Sequence, residues 1–171
     1  MAVTLAALVA TSTLAARINA SLNSSRRAPT LPYQSPVSEL QAPEQDAFVA
    51  LRELIYDLEA LRSDTGTWPQ ASAANIPGYT TQVRSLGLTH NYVFEPDDGQ
   101  GGQRFLVMIL EPDPRLKEPC APHDEEHHTL ASGICLHVTV WTQAAKEHAA
   151  PTQVTAFPFS EGFVQRIAQV E

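Results

Sequence analysis

The sequence has few basic residues, only two cysteines and no motif typical of a hydrolase nucleophile. It contains 11 Lys and Arg against 19 Asp and Glu, which gives a formal net charge of −8. Nucleic-acid-binding proteins neutralise phosphates with clustered basic side chains, so this balance argues against a nucleic-acid partner. A catalytic serine or cysteine needs an adjacent base and a recognisable turn, and the sequence shows neither. We therefore expect a protein that is not an enzyme.

The length and hydrophobic content of the chain suffice for one folded domain with additional segments. The chain has 171 residues, of which 43% are hydrophobic, and this length supports a single core. Residues 1–16 carry no charged side chain; as a helix they would span about 24 Å, short of a membrane's hydrocarbon core of about 30 Å. We expect residues 1–20 to be an apolar membrane anchor or signal segment, 21–43 a Pro/Ser-rich linker, and 44–171 a globular α+β domain. A buried helix of the fold is the alternative for the first segment.

Periodicity predicts one amphipathic helix. Between Glu44 and Arg62, hydrophobic residues recur at helical spacing, which predicts a helix with one apolar face on the core. The members of this stripe are Ala47, Phe48, Leu51, Leu54, Ile55, Leu58 and Leu61. Charged residues, Glu59 among them, are expected on the opposite face. Gly66 follows the helix, where a left-handed cap is favoured.

The rest of the domain has the pattern of a small sheet. Alternating and continuous apolar runs predict strands, and the continuous run at 105–110 predicts a central strand covered on both faces. The predicted elements are a short helix at 80–86, strands at 91–95, 103–110 and 134–143, an edge strand at 152–159 and a closing helix at 160–170. The expected fold class is α+β, with one core helix packed on an antiparallel sheet of three or four strands.

Metal-binding side chains are concentrated in residues 120–137, which hold both cysteines and four of the six histidines. Imidazole and thiolate groups bind zinc and its neighbours, and carboxylates can complete the shell. His123 and His127 stand four residues apart, so one turn of helix would place both imidazoles on one face. The expected ligands of a zinc-like ion are His123, His127, His128, His137 and Glu126. The alternative is a solvated acidic loop that binds nothing.

The two cysteines allow two interpretations. In an oxidising compartment, Cys120 and Cys135 would form a disulfide that closes a loop of about fifteen residues. In a reducing compartment, these cysteines with His123 and His137 would make a Cys₂His₂ zinc site. The uncharged N-terminal segment favours export and hence the disulfide. If the disulfide forms, the histidines alone must bind the metal.

Two resemblances to known families rest on short motifs. Residues 64–69, D-T-G-T-W-P, follow the amphipathic helix, and with the apolar N-terminus they resemble the helix-to-loop junction of type II pseudopilins and related pilin-like proteins. The same features, with the Cys/His-rich loop and the strand I-C-L-H-V-T-V-W at 134–141, resemble a small uncharacterised bacterial family encoded beside zinc-type metal-uptake transporters. The first resemblance implies a pilin-like fold. The second implies a metal ABC transporter or its binding protein as a partner, without assigning a ligand.

Two functions follow from these observations. The first is a non-enzymatic domain that binds zinc as an accessory to metal uptake. It would lie on the periplasmic side, anchored to the inner membrane by its N-terminal segment, or be secreted if that segment is cleaved. The second is a pilin-like structural or interaction subunit in which the histidine-rich loop is incidental.

Overall fold

The computed structural model describes residues 31–97, 102–116 and 119–168, and the described residues from Tyr33 onward form one compact unit. One long α-helix and seven strands lie in these ranges. Their bounds are β1 Gln34–Pro36, α1 Ala42–Thr65, β2 Tyr79–Leu86, β3 Thr89–Pro96, β4 Gln103–Leu110, β5 His127–Thr129, β6 Cys135–Ala144 and β7 Val164–Ile167. The α+β class is confirmed. Within the described ranges no helix is both long and apolar enough to cross a membrane, and the segment predicted as an anchor lies outside them.

The ends of α1 follow from local chemistry. At its start, the Gln41 backbone N–H donates to Glu44 Oε2 at 2.9 Å, which satisfies a backbone group outside the helical ladder. At its end, Gly66 adopts φ 73° and its N–H donates to the Arg62 carbonyl at 3.0 Å. Only glycine enters this left-handed conformation without steric cost, so the predicted cap is confirmed. The predicted helix is also confirmed, although α1 begins two residues earlier and ends three residues later.

The sheet is larger than predicted and is mixed. Its order is β1-β7-β6-β4-β3-β2, with β5 paired to a different stretch of β6. The pairing of β1 with β7 is parallel and the other pairings are antiparallel. The expectation of three or four antiparallel strands is therefore wrong. It missed the short strands β1, β5 and β7, whose three or four residues are too few to show a period.

Both faces of the sheet are buried at its centre. On the α1 side, alternate residues of β4 and β6 contribute Phe105, Val107, Ile109, Leu136, Val138 and Val140 to the main core. On the other side, a smaller cluster contains Val93, Leu106, Met108, Trp141 and Phe163. Successive side chains of a strand point to opposite faces, so a strand buried on both sides must be apolar throughout. The prediction that 105–110 forms a central strand covered on both faces is confirmed.

Three predicted elements have a different structure. Residues 80–86 belong to strand β2 instead of a helix, because Gly87, at φ 60°, turns the chain back and β2 pairs with β3 along its length. Residues 152–159 form no edge strand; the chain lies over the far side of the sheet, where Asn91 Nδ2 donates to the Thr155 carbonyl at 3.0 Å. The closing helix is replaced by a 3₁₀ turn at Pro158–Glu161 and strand β7.

The end of the predicted linker is part of the fold. Strand β1 and a 3₁₀ turn at Val37–Glu39 lie in the range 21–43, and Leu40, 6% exposed, packs in the main core. The parallel pairing of β1 with β7 attaches this segment to the sheet.

The D-T-G-T-W-P junction attaches the end of α1 to the sheet through one carboxylate. Glu111 Oε1 accepts hydrogen bonds from Trp68 Nε1 at 2.8 Å and from Arg62 Nε at 3.0 Å. The Trp68 ring lies 5.3 Å from the ring of His90, centroid to centroid. Burial lowers the pKa of His90; Glu111 opposes this shift and Arg62 adds to it. The tryptophan of this motif therefore has a structural role in this chain.

His90 predicts one component of the pH dependence of stability. Because its pKa is lower in the folded state than the unfolded value of 6.5, the unfolded chain binds the proton first as the pH falls. The contribution of His90 to stability is therefore present above about pH 6.5 and is lost on acidification. We expect His90→Gln to lose less stability than the wild type between about pH 7.5 and about pH 5 in urea titrations. Equal losses in the two proteins would contradict this assignment.

Candidate functional site

A turn formed by Asp124 leads into β5. Asp124 Oδ1 accepts hydrogen bonds from the backbone N–H groups of Glu126 and His127, each at 2.8 Å. An aspartate whose carboxylate accepts hydrogen bonds from backbone N–H groups two and three residues ahead stabilises a turn. Burial alone would raise the pKa of Asp124, but these two hydrogen bonds, the side-chain bond from His127 and the charge of His127 lower it to about 2. The carboxylate therefore stays ionised and holds the turn that positions His127.

His127 and His137 form a cross-strand pair. They stand opposite each other where β5 pairs with β6. The Val138 N–H donates to the Glu126 carbonyl at 2.7 Å, and the Leu130 N–H donates to the Ile134 carbonyl at 2.9 Å. Hydrogen-bonded and non-hydrogen-bonded pairs alternate along an antiparallel ladder, so His127 and His137 occupy a non-hydrogen-bonded pair, where side chains lie closest. Their ring centroids are 5.1 Å apart.

Each ring of this pair contacts a carboxylate through one nitrogen. His127 Nδ1 lies 3.0 Å from Asp124 Oδ1, and His137 Nε2 lies 3.2 Å from Glu126 Oε2. The other oxygen of Glu126 accepts a hydrogen bond from Gln165 Nε2 at 2.7 Å, so β7 fixes this carboxylate. Among the described residues, no group hydrogen-bonds with the other ring nitrogens, Nε2 of His127 and Nδ1 of His137. Both side chains are partly open to solvent, with 39% and 40% exposure.

A second histidine pair lies on the helix side of the sheet. His128 is 3% exposed, its Nδ1 hydrogen-bonds with Glu59 Oε1, and its ring stacks on Tyr56 with centroids 5.7 Å apart. The ring of His123, an exposed residue, lies 5.2 Å from that of His128. His128 Nε2 is buried and has no hydrogen-bond partner among the described residues. This pair joins the loop to α1.

The four predicted histidine ligands are thus divided into two pairs. His127 and His128 are adjacent in a strand, so their side chains point to opposite faces and cannot share one ion. The expectation that one helical turn would align His123 with His127 is wrong, because His127 lies in β5 and His123 contacts His128 instead. In the described ranges no three His, Cys, Asp or Glu side chains are arranged around a common metal position.

Glu59 lies on the buried face of α1 and not on its solvent face. It was expected on the solvent face of α1, yet it is only 9% exposed and hydrogen-bonds with His128. The signal was present: Glu59 continues the spacing of four from Leu51 and Ile55, which places it on the buried stripe. Leu61, which was assigned to that stripe, is 40% exposed.

The disulfide lies beside the His127–His137 pair. Cys120 and Cys135 are bonded, with Cα atoms 5.4 Å apart. Cys135 precedes His137 by two residues, so both side chains leave the same face of β6. Both cysteines and both histidines of the pair are among the residues that line a surface cavity of about 300 Å³, together with Leu110, Glu111, Pro112 and Pro119. The predicted disulfide is therefore present, and it excludes a thiolate site in this oxidation state.

Comparison of the chain with protein-family models, with curated proteins and with solved structures finds no match.

Removal of Glu59 tests the role of the His128 contact. In Glu59→Ala, His128 would be buried with neither ring nitrogen bonded to the protein, and an unsatisfied buried polar group costs about 1–3 kcal/mol. We expect the free energy of unfolding to fall by this amount in denaturant titrations. Asp57→Ala, which removes an exposed carboxylate two residues away on the same helix, is the matched control and should change it by less than about 0.5 kcal/mol. Equal effects of the two substitutions would show that the Glu59–His128 hydrogen bond does not stabilise the fold.

Proposed function

We propose that this chain is a non-enzymatic binding domain for a zinc-like ion and that His127 and His137 are its ligands. The observation that carries the proposal is the cross-strand imidazole pair, in which each ring has one nitrogen on a carboxylate and the other nitrogen available. Metal-ligating histidines commonly donate their second N–H to a carboxylate, which fixes the tautomer and the ring orientation. Asp124 and Glu126 would have this supporting role.

The spacing of the two rings suits a tetrahedral ion. Two imidazoles bound to one zinc at about 2.0–2.1 Å have centroids about 5 Å apart, and the separation of His127 and His137 is 5.1 Å. The pair supplies two ligands, and water molecules would fill the remaining positions. A site with two protein ligands on the surface binds and releases an ion readily, which suits transfer better than permanent storage.

The disulfide and the uncharged N-terminal segment together indicate where the protein would act. Disulfides persist in oxidising compartments, and the uncharged residues 1–16 suit an anchor or export segment. The domain would therefore act on the periplasmic side of the membrane as an accessory to metal uptake. A metal ABC transporter or its binding protein would be the partner that gives or receives the ion.

The packing of one long helix on a mostly antiparallel sheet favours a second candidate, a pilin-like structural or interaction subunit. In that case the histidine pair would be incidental and zinc binding would be absent. One binding measurement separates the two candidates.

The test is zinc titration calorimetry on the oxidised full chain. We expect His127→Ala and His137→Ala each to weaken binding at least about ten-fold, which corresponds to about 1.4 kcal/mol. His123→Ala is the matched control, because it removes an exposed imidazole from the same loop without touching the pair, and it should leave binding unchanged.

Two results would contradict the proposal. If the wild type binds no zinc, the structural alternative is the better account. If His123→Ala weakens binding as much as His127→Ala, the ligands are not the cross-strand pair.

A further inference from the structure

Two cysteines and two histidines line one surface cavity. Cys120, Cys135, His127 and His137 all line this space of about 300 Å³. Their placement follows from two constraints, since β5–β6 pairing sets the histidines opposite each other and the disulfide ties Cys120 to the strand position two residues before His137. Two thiolates and two imidazoles are one of the standard tetrahedral ligand sets for structural zinc.

We infer that the disulfide is a redox switch for the metal site, and that its reduction converts the two-histidine site into a Cys₂His₂ zinc site. This inference rests on the proposed function, because His127 and His137 serve both states. In the oxidised state each sulfur is bonded to the other and cannot act as a thiolate ligand. Reduction therefore raises the number of protein ligands from two to four.

An external dithiol is the reductant of the Cys120–Cys135 disulfide. The dithiol gives two electrons and two protons to the Cys120–Cys135 bond, which breaks to two thiols while the dithiol closes to a cyclic disulfide. Zinc then binds both sulfurs as thiolates and displaces their two protons to solvent. Reoxidation by an external disulfide takes two electrons from the two thiolates and two protons from solvent, so that the reagent leaves as two thiols while the Cys120–Cys135 bond reforms and zinc returns to the weaker two-histidine site. Cys120 is exposed and Cys135 is half-buried, so a small dithiol can reach the bond.

The histidine pair does not depend on the disulfide for its position. The backbone bonds from Val138 to Glu126 and from Leu130 to Ile134 hold β5 on β6, and the Asp124 turn holds its start. Reduction therefore frees the Cys120 side of the loop while His127, His137 and Cys135 keep their places. In the oxidised chain no three described His, Cys, Asp or Glu side chains surround a common position, so the two thiolates freed by reduction must turn toward the histidine pair to give the tetrahedral geometry of zinc.

The experiment measures zinc affinity and Co²⁺ absorption for the full chain in both oxidation states. The reduced protein is prepared with a dithiol that is then removed under anaerobic conditions. We expect zinc affinity to rise at least about ten-fold on reduction. We also expect a thiolate-to-Co²⁺ charge-transfer band that the oxidised protein lacks. The Cys120→Ser/Cys135→Ser variant should show neither change, whereas His123→Ala should show both.

The possible results are distinguishable. A reduced protein without the band or the gain overturns the inference, and so does a band that is unaffected in His127→Ala/His137→Ala. Oxidised protein that binds no zinc refutes the proposed function, whatever the reduced protein does. If reduction causes loss of the circular dichroism of the fold, Cys120→Ser provides the test, since it leaves the Cys135 thiol free without reductant. Its Co²⁺ complex should show a thiolate band that His137→Ala removes, and the absence of that band would overturn the inference.

Discussion

The register of β5 against β6 determines the chemistry of the candidate site. In this register His127 faces His137, and the same alternation directs Leu136 and His128 to the helix side. A slip of one residue would exchange these faces, bury His127 against α1 and expose His128. The Asp124 turn fixes one end of the pairing and the short turn through Gly133, at φ 83°, fixes the other. Strand β5, only three residues long, holds His127 opposite His137 because a turn constrains each end of the strand.

The predictable part of the fold is the part with a long repeating pattern. The helix could be predicted because its apolar stripe repeats over about four turns. Strand β4 could be predicted because its apolar run is continuous, and β6 because apolar residues alternate along it. Strand β2 could not, since the seven residues from Thr80 to Leu86 fit either period and only their pairing with β3 decides between them. Strand β7 depends on partners far away in sequence, including β1. Its local sequence suggested a helix because this distant pairing leaves no local signal.

The site was predictable in composition but not in arrangement. The concentration of His, Cys and acidic residues in 120–137 predicted the disulfide, which is present, and marked the region of the candidate site. Which histidines lie together depends on whether the segment is helical or extended, because a helix groups residues four apart and a strand separates neighbours. The burial of Glu59 likewise depends on a contact that is distant in the sequence. A carboxylate on the buried stripe of a helix is explained only when its partner, His128, is brought to it from 69 residues away.

The central claim is that His127 and His137, and not the whole histidine-rich loop, form the metal site. Two-dimensional ¹H–¹⁵N spectra of the imidazole rings, recorded while zinc is added to the oxidised protein, test it most directly because each ring nitrogen gives its own signal. We expect the signals of His127 Nε2 and His137 Nδ1 to shift on binding, while the ring signals of His123 and His128 stay in place. Zinc-dependent shifts of His123 and His128, with His127 and His137 unchanged, would contradict it.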